Sequence, residues 1–125
     1  MQIFLTKWFD RWSNKEGLSK QALRNAVIEM EGGVIDANLG GNVVKKRVGV
    51  HSQGKRGGVR TIVAFKIKDK AFFLYGFAKN QQDNINDKQL QALKLMAKHL
   101  LSYDNKALDK AIKAQELIEV KNDET

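Results

Sequence analysis

GKRGGVRTIVAFKIKDKAFFLYGFAKN, residues 54–80, is the stretch that decides the fold. It opens on glycine and cation, Gly54-Lys55-Arg56-Gly57-Gly58, and continues as a β-run over 59–67. Lys68-Asp69-Lys70 reverses the chain, and a second β-run over 71–78 ends at Lys79-Asn80. Valine, isoleucine and aromatic residues between turn formers specify strands. The second run is apolar at both parities, so it belongs at the centre of a sheet covered on both sides. Cations at the ends of such a hairpin suit it to hold phosphate.

Upstream, residues 43–50 alternate as a further strand. Val44, Val48 and Val50 point to one face, and Val43, Lys45, Arg47 and His51 to the other. Lys46 falls on the apolar parity, which places it near an end or bend. The Gly-Lys-Arg-Gly-Gly segment is read as a loop joining this strand to the hairpin. Because it leads into a strand rather than a helix, it is neither a Walker motif nor a dinucleotide fingerprint. Its glycines allow backbone N–H groups to approach an anion, or simply make a flexible connection.

The flanks are helical. Residues 2–5 form a short apolar edge strand, and Thr6 caps a helix from 7 to about 14. Trp8, Phe9 and Trp12 share one side of it, which reads as core, with base stacking as the alternative. Glu16-Gly17 ends the helix. Ser19 caps a second helix over 20–31, whose stripe Ala22, Leu23, Ala26, Val27 and Met30 faces inward, and Gly32-Gly33 stops it. Residues 34–39 are ambiguous, and Gly40-Gly41-Asn42 is a turn. Asp87 is expected to cap a third helix over 88–101. A fourth runs from 106 to about 114, and Leu117-Ile118-Glu119-Val120 suits a last strand.

Composition narrows the function classes. The 125 residues are sized for one domain, 1–125, and 42% are hydrophobic, enough for a core without covalent staples. There is no cysteine, so disulfides, thiolate zinc sites and cysteine nucleophiles are excluded. No apolar run reaches the roughly 20 residues that span a bilayer, and MQIFLTKWFDRW lacks the order of a signal peptide. A cytoplasmic protein without membrane association is expected. The formal net charge is +8. Between 45 and 70 the cations Lys45, Lys46, Arg47, Lys55, Arg56, Arg60, Lys66, Lys68 and Lys70 face one acid, Asp69. After residue 115 the balance turns acidic. A basic β-region points to a polyanion such as nucleic acid or the ribosome, or to an acidic partner.

Metal-independent RNA cleavage needs a base for the 2′-OH, stabilisation of the extra negative charge, and a proton for the departing 5′-oxygen. The only histidines are His51 and His99. His99 sits in a helix and reads as structural or surface. A cation cluster offers another route. Clustered charges depress lysine proton affinity, and arginine clamps phosphate bidentately.

GKRGGVRTIVAFK, AFFLYGFAKN and the terminal ELIEV, with KWFDRW, LSKQAL and LGGNVVKKRV, resemble the RelE/HigB-type toxins of bacterial toxin–antitoxin systems. The resemblance spans nearly the whole chain. It implies an α+β RelE/ParE-like fold: an N-terminal helical hairpin on a mainly antiparallel twisted sheet, with additional C-terminal helices. It also implies a cognate antitoxin, ribosome and mRNA as partners, no cofactor and no metal, and ribosome-dependent mRNA cleavage. Homo-oligomerisation is left open. Carried over residue by residue, Arg60 matches the arginine after the Gly-Gly pair and is assigned transition-state stabilisation. Lys45 and Arg47 occupy the preceding basic strand, and Lys79 matches the cation of the Gly-x-x-Lys-Asn ending. His51 is the histidine nearest the basic loop and joins the catalytic candidates. Lys46, Lys55, Arg56 and Lys66 are assigned to RNA contact. Two departures stand out. No tyrosine follows Tyr103, and Lys79, Asn80 and Asp83 occupy the place where another branch carries histidines and an acid. Tyr75 reads as core with a bonded hydroxyl. The rival readings are a ParE-like binder of DNA gyrase and a non-catalytic RNA- or antitoxin-binding relic.

Overall fold

The computed structural model describes residues 1–50 and 54–121, with side chains described except at 54–57. The described elements are β1 (Gln2–Thr6), α1 (Lys7–Glu16), α2 (Lys20–Glu31), β2 (Ala37–Gly40), β3 (Val43–Val50) and β4 (Gly54–Lys66). They continue as β5 (Lys70–Phe77), α3 (Asp87–Leu101), α4 (Asn105–Lys113) and β6 (Leu117–Val120). One sheet takes the order β2-β3-β4-β5-β1-β6. Its neighbours are antiparallel except β1 with β5. This is the α+β arrangement expected from the sequence.

Three details differ from the sequence reading. β1 is not an edge strand: it lies between β5 and β6, and Ile3, Phe4 and Leu5 are all buried. Three consecutive apolar residues need cover on both faces, which an interior strand receives. The glycine-rich segment from Gly54 is part of β4 rather than a loop, with Gly54 paired to Val50. The cap of α3 is Asn86, not Asp87. Asn86 accepts from the Gln89 N–H while the Gln89 side chain accepts from the Asn86 N–H, satisfying two otherwise orphaned donors. Thr6 and Ser19 cap α1 and α2 as expected.

Helices α1 and α2 cover one face of the sheet, burying Phe9, Leu23, Val27 and Met30 against Leu5, Val44, Val63 and Phe73. The other face carries α3 and α4, with Leu93, Leu100 and Leu108 against Phe4, Ile62 and Phe72. Phe72 and Phe73 are adjacent in sequence and fully buried on opposite faces. Each removes apolar area worth about 1.5–3 kcal/mol from water. β5 is therefore apolar at both parities because both faces are core.

β5 also carries one extra residue. Val63 pairs with Phe73 and Ile62 with Tyr75, leaving Leu74 between them. Such a bulge shifts the parity of the strand. Phe72, Leu74 and Phe77 consequently all join the α3/α4 core. Gly76 turns to the α1 side, directly under the Trp12 ring. A Cβ on Gly76 would lie 2.2 Å from Trp12 Cζ3. Of the α1 aromatics, Phe9 is core and Trp12 packs against it. Trp8 is 48% exposed and stacks on Tyr75, ring centroids 4.8 Å apart. The Tyr75 hydroxyl donates to Gln82 Oε1 at 2.9 Å.

Because the indole rests on the backbone of β5, Gly76→Ala forces Trp12 and α1 outward. The expected loss is about 1–3 kcal/mol, read as a lower urea midpoint by circular dichroism. An unchanged midpoint would show that α1 does not depend on this close approach.

Candidate functional site

Basic residues of β3 and β4 meet across the pair that these two strands form. Arg47 stands directly opposite Arg60 across the β3–β4 pair. Like charges in that relation oppose the pairing of the strands. Asp36, just before β2, eases the conflict. Its Oδ1 accepts the Arg47 backbone N–H at 3.2 Å, and its Oδ2 lies 3.6 Å from Arg60 Nε. The Asp36 N–H donates to the Lys45 carbonyl at 2.8 Å, which fixes the carboxylate beside the strand. The Arg60 side chain is only 12% exposed, so its stem is held by packing while its head meets Asp36.

These arginines line a cleft of about 660 Å³. Glu16 closes one side from the end of α1, Val50 and Gly58 come from the strands, and residues 78–81 enter after β5. Lys79 is exposed in that last segment. The Ala78 N–H donates to Gln81 Oε1 at 3.3 Å, which helps shape the turn. A guanidinium pair with a nearby ammonium and open volume can seat a phosphodiester, since arginine presents a planar fork to phosphate oxygens. A family model for the RelE toxin of the RelE / RelB toxin-antitoxin system matches residues 1–120. This chain belongs to the RelE toxin family. No curated protein matches it. Membership makes it the toxin of a toxin–antitoxin system and implies a cognate antitoxin as its partner. Among the described residues, no helix of this RelE-family toxin is long and apolar enough to cross a membrane.

The cleft of the toxin gathers three of the residues singled out from its sequence: Arg47, Arg60 and Lys79. Lys45 shares the Arg47 face of β3 but pairs with Ile62 further along and does not line the cleft. Lys66 stands at the other end of β4, six residues or about 20 Å from Arg60. There it and Lys70 surround Asp69, whose carboxyl lies below its usual range through the Lys70 hydrogen bond and then the charges of Lys70 and Lys66. His51 lies outside the described residues, as do the side chains of Lys55 and Arg56. His99 sits on α3 with its ring edge-on to Tyr103 at 5.1 Å, in keeping with a structural or surface role.

Lys46 requires a correction. It lies in the middle of β3 rather than at an end or bend, and its side chain is 3% exposed. Its ammonium meets Glu29 Oε1 of α2 at 2.6 Å. A cation on the apolar parity is accommodated by an ion pair under the helix, so Lys46 does not present its charge to RNA in this arrangement. Glu16 is the cleft residue that sequence reading passed over. It read only as the end of a helix. Its place one turn beyond Trp12 was visible, but the strand beneath Trp12 was not.

The Glu29 side chain is 36% exposed and can rehydrate. Lys46→Met, close in volume, should therefore cost no more than about 1.5 kcal/mol and leave growth arrest intact. Lys46→Glu sets a second carboxylate against Glu29 and should cost at least about 3 kcal/mol. Urea denaturation of both variants checks the pair. Loss of toxicity in a well-folded Lys46→Met protein would restore Lys46 to the RNA contacts.

Proposed function

We propose that this toxin is a ribosome-dependent mRNA endonuclease that arrests translation in the cytoplasm. The observation that carries the reading is the facing pair Arg47 and Arg60 on the wall of an open cleft beside Lys79. Two guanidinium groups set against each other weaken the sheet, and a phosphodiester between them reverses the sign of that interaction. The 2′-oxygen attacks the adjacent phosphorus, the 5′-oxygen leaves, and a cyclic phosphate remains. Arg60 and Arg47 stabilise the charge that grows on the phosphoryl oxygens. In this reading Lys79 protonates the leaving oxygen, the role of a general acid.

Lys45 extends the basic track along β3, and Lys55, Arg56 and His51 belong to the same basic region of the sequence. Net charge of +8 favours association with ribosomal RNA through phosphate contacts. The ribosome would hold the message in the in-line geometry that a small open cleft does not impose by itself. The antitoxin neutralises the toxin by covering the basic surface or by displacing α4 and β6.

Mapping of mRNA 5′ ends after brief induction tests this reading. The native toxin should create new ends at codon positions within translated messages. Arg60→Ala should lower cleavage about 10²–10³-fold while keeping the fold and antitoxin binding. Growth arrest without new ends would transfer the target to DNA gyrase or another protein. Full toxicity of Arg60→Ala would remove Arg60 from the site.

A further inference from the structure

The two facing arginines are not held alike. Arg47 is exposed, and among the described residues no carboxylate pairs with its guanidinium. The Arg60 side chain is 12% exposed, and Asp36 Oδ2 approaches its Nε at 3.6 Å. Asp36 is not among the described residues that line the cleft. Its carboxylate therefore meets Arg60 without lining the space that a phosphate would enter. An approach at Nε leaves the two Nη groups of the fork for phosphate oxygens.

Main chain fixes the carboxylate in its turn. The Asp36 N–H donates to the Lys45 carbonyl at 2.8 Å, and Oδ1 accepts the Arg47 N–H at 3.2 Å. Both partners belong to β3, on which Arg47 stands in register with Arg60 of β4. One aspartate thus ties the backbone of one arginine to the head of the other. Ordering a long arginine side chain costs conformational entropy, and here part of that cost is met in folding, before substrate arrives.

A carboxylate this close also opposes phosphate binding, because it lowers the positive potential that Arg60 offers an anion. Two roles are open to it. Asp36 either offsets the charge of a guanidinium short of water or aims that guanidinium. Charge compensation needs a carboxylate nearby, but not one locked at both its N–H and its Oδ1 to the partner strand. At 3.6 Å the contact with Arg60 is Coulombic rather than a hydrogen bond. It can steer the guanidinium without using up a donor that phosphate needs.

We propose that Asp36 is a positioning residue for Arg60, an inference that rests on the nuclease reading above. It acts on the rate of cleavage, by setting Arg60 where charge grows on the phosphoryl oxygens, and it weakens rather than supports binding of RNA.

Single-turnover cleavage on message-programmed ribosomes, with the toxin concentration varied, tests the assignment. Asp36→Asn should lower the rate at saturating toxin about 10–100-fold. The toxin concentration that gives half this rate should hold or fall, because a negative charge near phosphate has gone. In an Arg60→Ala background, Asp36→Asn should change the residual rate by less than about twofold, since a residue that acts through Arg60 has nothing left to act on. Asp36→Ser, smaller and also uncharged, is the second variant and should show the same split. Circular dichroism and antitoxin binding restrict the comparison to folded protein. If the folded variants cleave at the native saturated rate or faster, Asp36 only offsets charge. If Asp36→Asn slows native and Arg60→Ala toxin by the same factor, it does not act through Arg60. Either result overturns the proposal. Native toxin that leaves every ribosome-bound message uncut would overturn the nuclease reading itself, and this inference with it.

Discussion

Burial of the central strands on both faces leaves them no room for an unpaired charge. β4 and β5 send Val63 and Phe73 into one core and Ile62 and Phe72 into the other. Desolvating a cation there would cost more than packing returns. In a chain of net charge +8, a cation within β3 or β4 that gives up water therefore needs a carboxylate beside it. Arg60, 12% exposed in the middle of β4, has Asp36. Lys46 is buried in mid-strand only because Glu29 comes down from α2 to meet it.

Against that background the cleft is costly by design. Arg47 and Arg60 oppose one another, and Glu16 stands against the dipole of its own helix. Asp36 relieves the first conflict only in part, since it reaches Arg60 at 3.6 Å. Local arrangements that work against stability cluster where a protein does chemistry. The same features also share a common support. The bulge at Leu74 turns Gly76 toward α1, Trp12 settles on Gly76, and the end of α1 thereby reaches the rim of the cleft that Lys79 also lines.

Much of this architecture was legible in the sequence. Ser19 and Gly32-Gly33 bound α2, the alternation over 43–50 specified β3, and AFFLYGFA announced a strand buried on both sides. The shared parity of Lys45 and Arg47 was also readable. Long-range relations were not. The place of β1 inside the sheet depends on parallel pairing with β5, and five residues carry no sign of it. The encounter of Arg47 with Arg60 depends on β3–β4 register, which periodicity alone does not give. Lys46 was misplaced because its partner lies on another element. Glu16 was passed over because nothing local to it says which strand end lies below.

The position of β1 has a further consequence for how the protein comes into being. Residues 2–5 pair with 70–73, and residues 3–6 pair with 117–120. Both partners of β1 follow it by many residues, so β1 is among the last strands to be completed, and such distant pairing slows folding. At roughly 5–20 residues per second, Ile3, Phe4 and Leu5 wait several seconds for their second neighbour. A nascent chain that has not yet reached β6 leaves β1 as an open edge, with its apolar residues in reach of chaperones. The native sheet, and the cleft built on it, are properties of the finished chain.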